Sequence, residues 1–215
     1  YGGFGLEPVP TAKWGGFMLN VIMASIAIIY SLPLGILLAL GRRSDFPIIR
    51  RFCVLFIEFW RGVPLISVLV MASFMLPFFL PDGVNFNELL RAMVGLTLFS
   101  SAYMAEVVRG GLQALPKGQT EAGRAMGLTY WQSMRLIILP QALTITIPAI
   151  VNTFIGLFKD TSLVIVIGLF DILQVAKSSV TDPNWLGLEH EAYIFVALMF
   201  FCSCFGMSRY SLWLE

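Results

Sequence analysis

Charge is scarce in this chain. Of its 215 residues, 14 are Lys or Arg and 13 are Asp or Glu, whereas 58% are hydrophobic. A soluble domain of this size would carry far more charge on its surface, so the balance points to an integral membrane protein. The net charge is only +1, which argues against a nucleic-acid-binding face. Histidine is rarer still: His190 stands alone in a polar connector and cannot build a metal site by itself. Cys53, Cys202 and Cys204 all lie inside apolar runs, which reads as buried free thiols rather than a disulfide or metal pair. No glycine-rich loop ending in Gly-Lys-Ser/Thr is present, so the chain cannot bind and split ATP by that route. No carboxylate pair or nucleophile–base set suggests a membrane enzyme, and neither an internal repeat nor a signal-peptide pattern is visible.

Long apolar runs fill the rest. A membrane-crossing helix needs roughly 20 mostly apolar residues. Five stretches qualify: Phe17 to Leu40, Val63 to Leu80 after a short lead-in helix from Phe52, Leu89 to Val108, Leu136 to Phe158, and Ala192 to Leu214. The segment Ser162 to Leu173 is apolar but too short to cross, so a buried or re-entrant piece is expected there. The glycine-rich opening carries Trp14 where an interfacial anchor would sit. The chain begins at Tyr1 and ends at Glu215 directly after an apolar run, so further sequence is expected upstream. Arg42, Arg43, Arg50 and Arg51 fill the first connector, and Arg109, Lys117, Arg124 and Arg135 the third. The second connector is acidic until Arg91, and the stretch from Lys177 to Glu191 is net acidic. Because cytoplasmic loops hold the excess of Lys and Arg, the first and third connectors and the C-terminus are expected in the cytoplasm, and the N-terminus outside.

The third connector, "LPKGQTEAGRAMGLTYWQSMRLIILP" (Leu115 to Pro140), is unusually polar and punctuated. Pro116 precedes good helix formers at Gln119 to Met126, and Gly127 supplies a stop because glycine accepts the left-handed conformation. Ala122, Gly123 and Ala125 leave a small-residue face that another protein could approach closely. Tyr130 onward starts a second helix, kinked by Pro140. An ordinary solvated hairpin fits this pattern equally well.

Glu121-Ala122-Gly123, then Gly127, then Ile137-x-Leu139-Pro140 resembles the "EAA" loop of ABC importer permeases, with Gly123 replacing the second alanine. "EFWRGVPL" (Glu58 to Leu65), "SAYMAEVVRGGLQALPKGQ" (Ser101 to Gln119) and "KDTSLVIVIG" (Lys159 to Gly168) are similar to polar amino-acid permeases, and the whole chain to general L-amino-acid permease subunits. The resemblance implies an all-α integral membrane fold, a type I ABC importer permease core of five transmembrane helices with a cytoplasmic coupling helix. Residues 1–215 would form one such domain, its coupling loop at 109–135. It also implies that Glu121, Ala122, Gly123, Arg124, Ala125 and Gly127 couple the chain to an ATPase. The implied partners are two ATPase subunits that bind ATP and Mg, a second, related permease subunit, and a periplasmic amino-acid-binding protein. Membrane lipid surrounds the chain, and no cofactor is expected in it. A bacterial inner-membrane location follows.

Ionisable groups at membrane depth are costly and are usually functional or paired. Glu58 and Arg61 are three apart on one helix face, as are Glu106 and Arg109. Each pair reads either as a gate or inter-subunit contact or as an interfacial pair that fixes local structure. Lys159, Asp160 and Thr161 follow the fourth span, and a Lys with an Asp could complement an amino acid's carboxylate and ammonium. A local ion pair ordering the turn is the other reading. Ser100, Ser101 and Tyr103 on the third span, with Asn152 and Thr153 on the fourth, complete the pathway candidates. Inter-helix hydrogen bonding is open for each of them. The competing function class is a stand-alone secondary transporter or channel, which would need ion-coupling residues and usually an internal repeat.

Overall fold

The computed structural model describes residues 15–79, 81, 86–185 and 187–214; Trp14 and Leu80 lie outside them. Among the described residues all regular structure is helical, apart from one isolated bridge between Gly16 and Asp171. Helix α1 (Gly16–Arg42) is followed by α2 (Pro47–Gly62) and α3 (Leu65–Val70), which runs on through a π-helical turn at Met71–Met75. The central helix α4 (Glu88–Ala114) leads into three short helices, α5 (Lys117–Ala125), α6 (Tyr130–Ser133) and α7 (Leu139–Ile145). Then come α8 (Ile147–Asp160), a 3-10 extension at Thr161–Ile167, α9 (Ile172–Ser179) and α10 (Glu189–Leu214).

Helices α1 and α4 pack in parallel and carry two successive layers of core. Near their N-terminal ends, Leu19, Met23 and Ala27 meet Leu89, Ala92 and Leu96, with Leu65, Leu69 and Val164 added from α3 and the 3-10 segment. Near their C-terminal ends, Ala39, Met104, Val108 and Leu112 meet Ile57, Met134, Ile138 and Ala142. The second layer therefore draws on the connector itself. Two of the crossings made by α4 are close enough to require glycine. A Cβ at Gly35 would stand 2.7 Å from Met104 Cβ, and one at Gly111 would stand 2.5 Å from the Ala142 carbonyl oxygen. Gly111→Ala is thus expected to cost about 1–3 kcal/mol through overpacking. Gly110→Ala, which meets nothing within 4 Å, should be neutral or slightly stabilising because alanine is the better helix former. Thermal melts of the purified protein check this, and equal melting of the two variants would contradict the close crossing.

By length and hydropathy, α1, residues 147–167 and α10 can each cross a membrane, and α2 with α3 makes a fourth span if that pair, bent by 103°, counts as one. The expected third span lies within α4, which is as long as α1 but more polar, and half of it is buried against its neighbours. The expected fourth span needs correction. Leu136 to Phe158 is not continuous: it breaks at Thr146, whose hydroxyl donates back to the Ala142 carbonyl at 2.9 Å, just before Pro148. The apolar length that can cross is 147–167, so Ser162 to Ile167, expected to be a separate buried or re-entrant piece, continues that span instead. Cys202 is a second correction: it is exposed on α10 while Cys53 is buried, and all three thiols are free. Only 6% of the apolar window of α10 is buried, which suits a helix bathed in hydrocarbon rather than water.

Buried polar groups fasten the N-terminal layer. Asn20, fully buried, donates to Thr161 Oγ1 at 2.9 Å and accepts from the Ile172 backbone N–H at 3.0 Å. This ties α1 to the end of α8 and the start of α9. Asp171 caps α9 by accepting from the Gln174 N–H at 2.9 Å. Burial pushes its carboxyl above the usual carboxylate range, against the pull of that hydrogen bond. Arg91 donates to the Ser73 carbonyl and so holds α4 against the π-helical turn.

Candidate coupling loop and membrane cavity

The polar connector folds as a compact lever. Helix α5 starts after Pro116, which fixes its own φ for a helix entrance, and ends where Gly127 takes φ +75°. The Leu128 N–H reaches back to the Gly123 carbonyl at 3.1 Å and the Gly127 N–H to Arg124 at 2.9 Å, the bonding of a glycine-terminated helix. Thr129 and Gln132 form a reciprocal capping box that starts α6 at once. Gln141 Nε2 donates to Gln119 Oε1 at 3.3 Å and to the Ile137 carbonyl at 2.8 Å, tying α5 to α7. A π-helical turn at Met134–Ile138 lies just before Leu139 and Pro140, which open α7.

Glu121, Ala122, Arg124 and Ala125 are exposed on α5. Gly123 is not: it is buried against α6, where an added Cβ would stand 2.6 Å from Ser133 Oγ and 3.8 Å from Ile137 Cδ1. The expected small-residue face is therefore split. Ala122 and Ala125 are available to a partner, while Gly123 seats the helix on its own chain. Met126, Tyr130 and Trp131 stand exposed beside them, an apolar fringe that small-residue spacing does not reveal.

The charged residues near the C-terminal ends of α1, α2 and α4 form one network. Glu106 is its centre. Arg42 Nη1 lies 2.6 Å from Glu106 Oε1, Arg109 Nη2 lies 2.6 Å from Glu106 Oε2, and Arg61 Nη1 is 3.9 Å from Oε1. The Glu106–Arg109 pairing matches the spacing. The Glu58–Arg61 pairing does not form: Glu58 faces Arg42 at 3.7 Å, and Arg61 turns to Glu106 instead. The Arg61 guanidinium also lies 5.8 Å from the Tyr103 ring centroid. Arg42, counted in sequence only as a loop charge, is the residue that joins three helices.

A cavity of about 360 Å³ opens between α3, α4 and α8, lined by Ser100, Tyr103, Thr153, Gly156 and Asp160 among others. The structure thus brings together Tyr103 and Asp160, with Ser100 and Thr153. It does not bring the others there. Ser101 is fully buried and donates to the Leu98 carbonyl at 2.7 Å. Asn152 and Lys159 are exposed elsewhere, and Thr161 is used up by Asn20 and the Phe158 carbonyl. Among the described residues that line it, Asp160 is the one carboxylate and none is a cation.

Multiple apolar helices of crossing length, a rigid polar lever on one side and a polar cavity within the bundle define a multi-pass membrane transport component. Residues 31–215 match the family described as binding-protein-dependent transport system inner membrane component, and the chain belongs to that family. It is 59% identical over 216 residues to the inner membrane amino-acid ABC transporter permease protein YhdY of Escherichia coli strain K12, covering 100% of this chain and 59% of that protein. It is 56% identical to the glutamate/glutamine/aspartate/asparagine transport system permease protein BztC of Rhodobacter capsulatus, covering 98% of this chain and 49% of that one. The chain thus spans about half the length of these relatives. Among solved structures, an amino acid ABC transporter crystallised with histidines superposes with a TM-score of 0.81 at 30% identity, covering 93% of this chain and 91% of that one. The MetNI methionine ABC transporter, inward facing, shares the fold at a TM-score of 0.68 and 22% identity, over 92% of each chain. The family and the apolar helices make this a multi-pass inner membrane protein.

Proposed function

We propose that the chain is the permease subunit of an ATP-driven importer that moves polar or general L-amino acids from periplasm to cytoplasm by alternating access. The observation that carries this is the lever: a short exposed helix with a glycine stop, seated on its own chain through Gly123 and tied to α7 through Gln119 and Gln141. A separate ATPase pair binds ATP and Mg and pushes on Glu121, Ala122, Arg124 and Ala125. A second, related permease subunit completes the pathway, and a periplasmic binding protein delivers the amino acid. The N-terminus of this chain lies on the periplasmic side and the C-terminus in the cytoplasm, as the arginine-rich first and third connectors suggest. The names of the amino-acid permeases it resembles support this reading of the cargo class. Co-purification with an ATPase and ATP-dependent uptake in proteoliposomes test it; recovery of a self-sufficient ion-coupled carrier would overturn it.

Asp160 is the residue we assign to the cargo's ammonium, because it is the carboxylate in the cavity wall, which Lys159 does not line. A charge-assisted hydrogen bond to a buried group contributes about 1.5–3 kcal/mol, so Asp160→Asn is expected to cut uptake at subsaturating substrate by at least tenfold. Tyr103, Ser100 and Thr153 supply the remaining polar wall. Unchanged uptake and substrate range in Asp160→Asn would remove Asp160 from the pathway.

A further inference from the structure

Helix α2 has two apolar faces. One buries Cys53 and Ile57. The other carries Ile48, Phe52, Leu55 and Phe59, at spacings of four, three and four, so all four fall on one side of the helix. They are 82%, 64%, 70% and 56% exposed, too much apolar surface for a helix in water. The helix crosses the end of α1 steeply: a Cβ at Gly41 would touch both Ile49 and Cys53, while Arg42 reaches Glu58. With the 103° bend into α3, this lays α2 across the C-terminal ends of α1 and α4, on the side of the coupling loop.

Three cations border the stripe. Arg43, Arg50 and Arg51 are exposed, and none forms an ion pair among the described residues. Arg42, by contrast, is consumed by Glu106 and Glu58. Asp45 is the one acidic residue among them, which leaves a local excess of +2, three arginines less one carboxylate. An exposed apolar stripe with unpaired guanidiniums beside it is complementary to a molecule with acyl chains and an anionic headgroup. We propose that α2 binds anionic phospholipid of the leaflet on the coupling-loop side, the stripe taking the acyl chains and Arg43, Arg50 and Arg51 the headgroup phosphates.

The test is titration of the delipidated, assembled transporter with phosphatidylglycerol or phosphatidylcholine, with bound lipid counted by native mass spectrometry. The wild type is expected to prefer phosphatidylglycerol. Each basic residue near an anionic surface contributes about 1 kcal/mol, or roughly fivefold. The combined R43Q, R50Q and R51Q variant should therefore weaken phosphatidylglycerol binding on the order of 100-fold and weaken that of the zwitterionic phosphatidylcholine far less, so that the preference is lost. The matching lysine variant should keep the preference. Phe52→Ser with Leu55→Ser should weaken both lipids. Unchanged phosphatidylglycerol affinity in the glutamine variant would overturn the proposal. So would dissociation of the second permease subunit by the serine variant with lipid binding intact, since the stripe would then be a subunit interface.

Discussion

Gly127→Val is expected to abolish ATP-driven uptake, at least tenfold below wild type, with membrane insertion and yield unchanged. The reason is conformational and local. Gly127 holds φ +75°, and a Cβ there would meet nothing within 4 Å, so no clash enters. A residue with a side chain pays about 1–2 kcal/mol for this left-handed conformation, and a β-branched one pays more. The turn at Gly127 aligns the Leu128 N–H with the Gly123 carbonyl and allows the capped start of α6 only two residues later. Losing it swings α5 off its seat on Ser133 without disturbing the buried layers. ATP hydrolysis by the partner should persist, uncoupled from transport. Gly127→Asn is the control, because asparagine tolerates the left-handed region, and it should retain most uptake. Full uptake in Gly127→Val would mean that the loop's shape does not transmit the ATPase stroke.

The parts of this molecule that were legible in sequence are those governed by near neighbours. Helix α5, its proline-marked start and its glycine stop depend on residues within one turn of each other, and apolar length alone announces α1 and α10. What escaped depends on contacts across the chain. Pro148 is a local signal for the break at Thr146, but the apolar run reads through it, and the packing of α7 against Gly111, more than thirty positions earlier, is not legible locally. Thr161 looked like a pathway hydroxyl because its partner, Asn20, is 141 positions away. Gly123 looked like a partner-facing residue because the repeat of small side chains carries no sign of which one turns inward. Glu58 was matched to Arg61 by helical spacing, yet the bend after Gly62 and the crossing of α1 place Arg42 closer.

That misassigned pair leads to the second large effect. Glu106→Ala should destabilise the transporter by about 2 kcal/mol and lower uptake. Its side chain is 17% exposed and faces three guanidiniums, of Arg42, Arg61 and Arg109. Removing one member of a buried pair typically costs about 3–5 kcal/mol, while exposed pairs are worth about 0–1. The arginines here are 27–38% exposed, so an intermediate value is appropriate. With Glu106 present the five charges sum to +1; without it, three cations face Glu58 alone and the sum is +2. Arg42→Gln should recover part of the loss in the Glu106→Ala background, because it removes a cation that no longer has a counter-charge. Additive losses in that double-mutant cycle would show that the two residues act independently. The effect on transport has its own route. Freed from Glu106, Arg61 shifts from its place over Tyr103, and Tyr103 is part of the cavity wall with Asp160. Glu106 thereby holds the helix ends near the polar connector in register with the wall of the cavity that contains Asp160, and losing it should lower uptake even at a temperature where the protein remains fully folded.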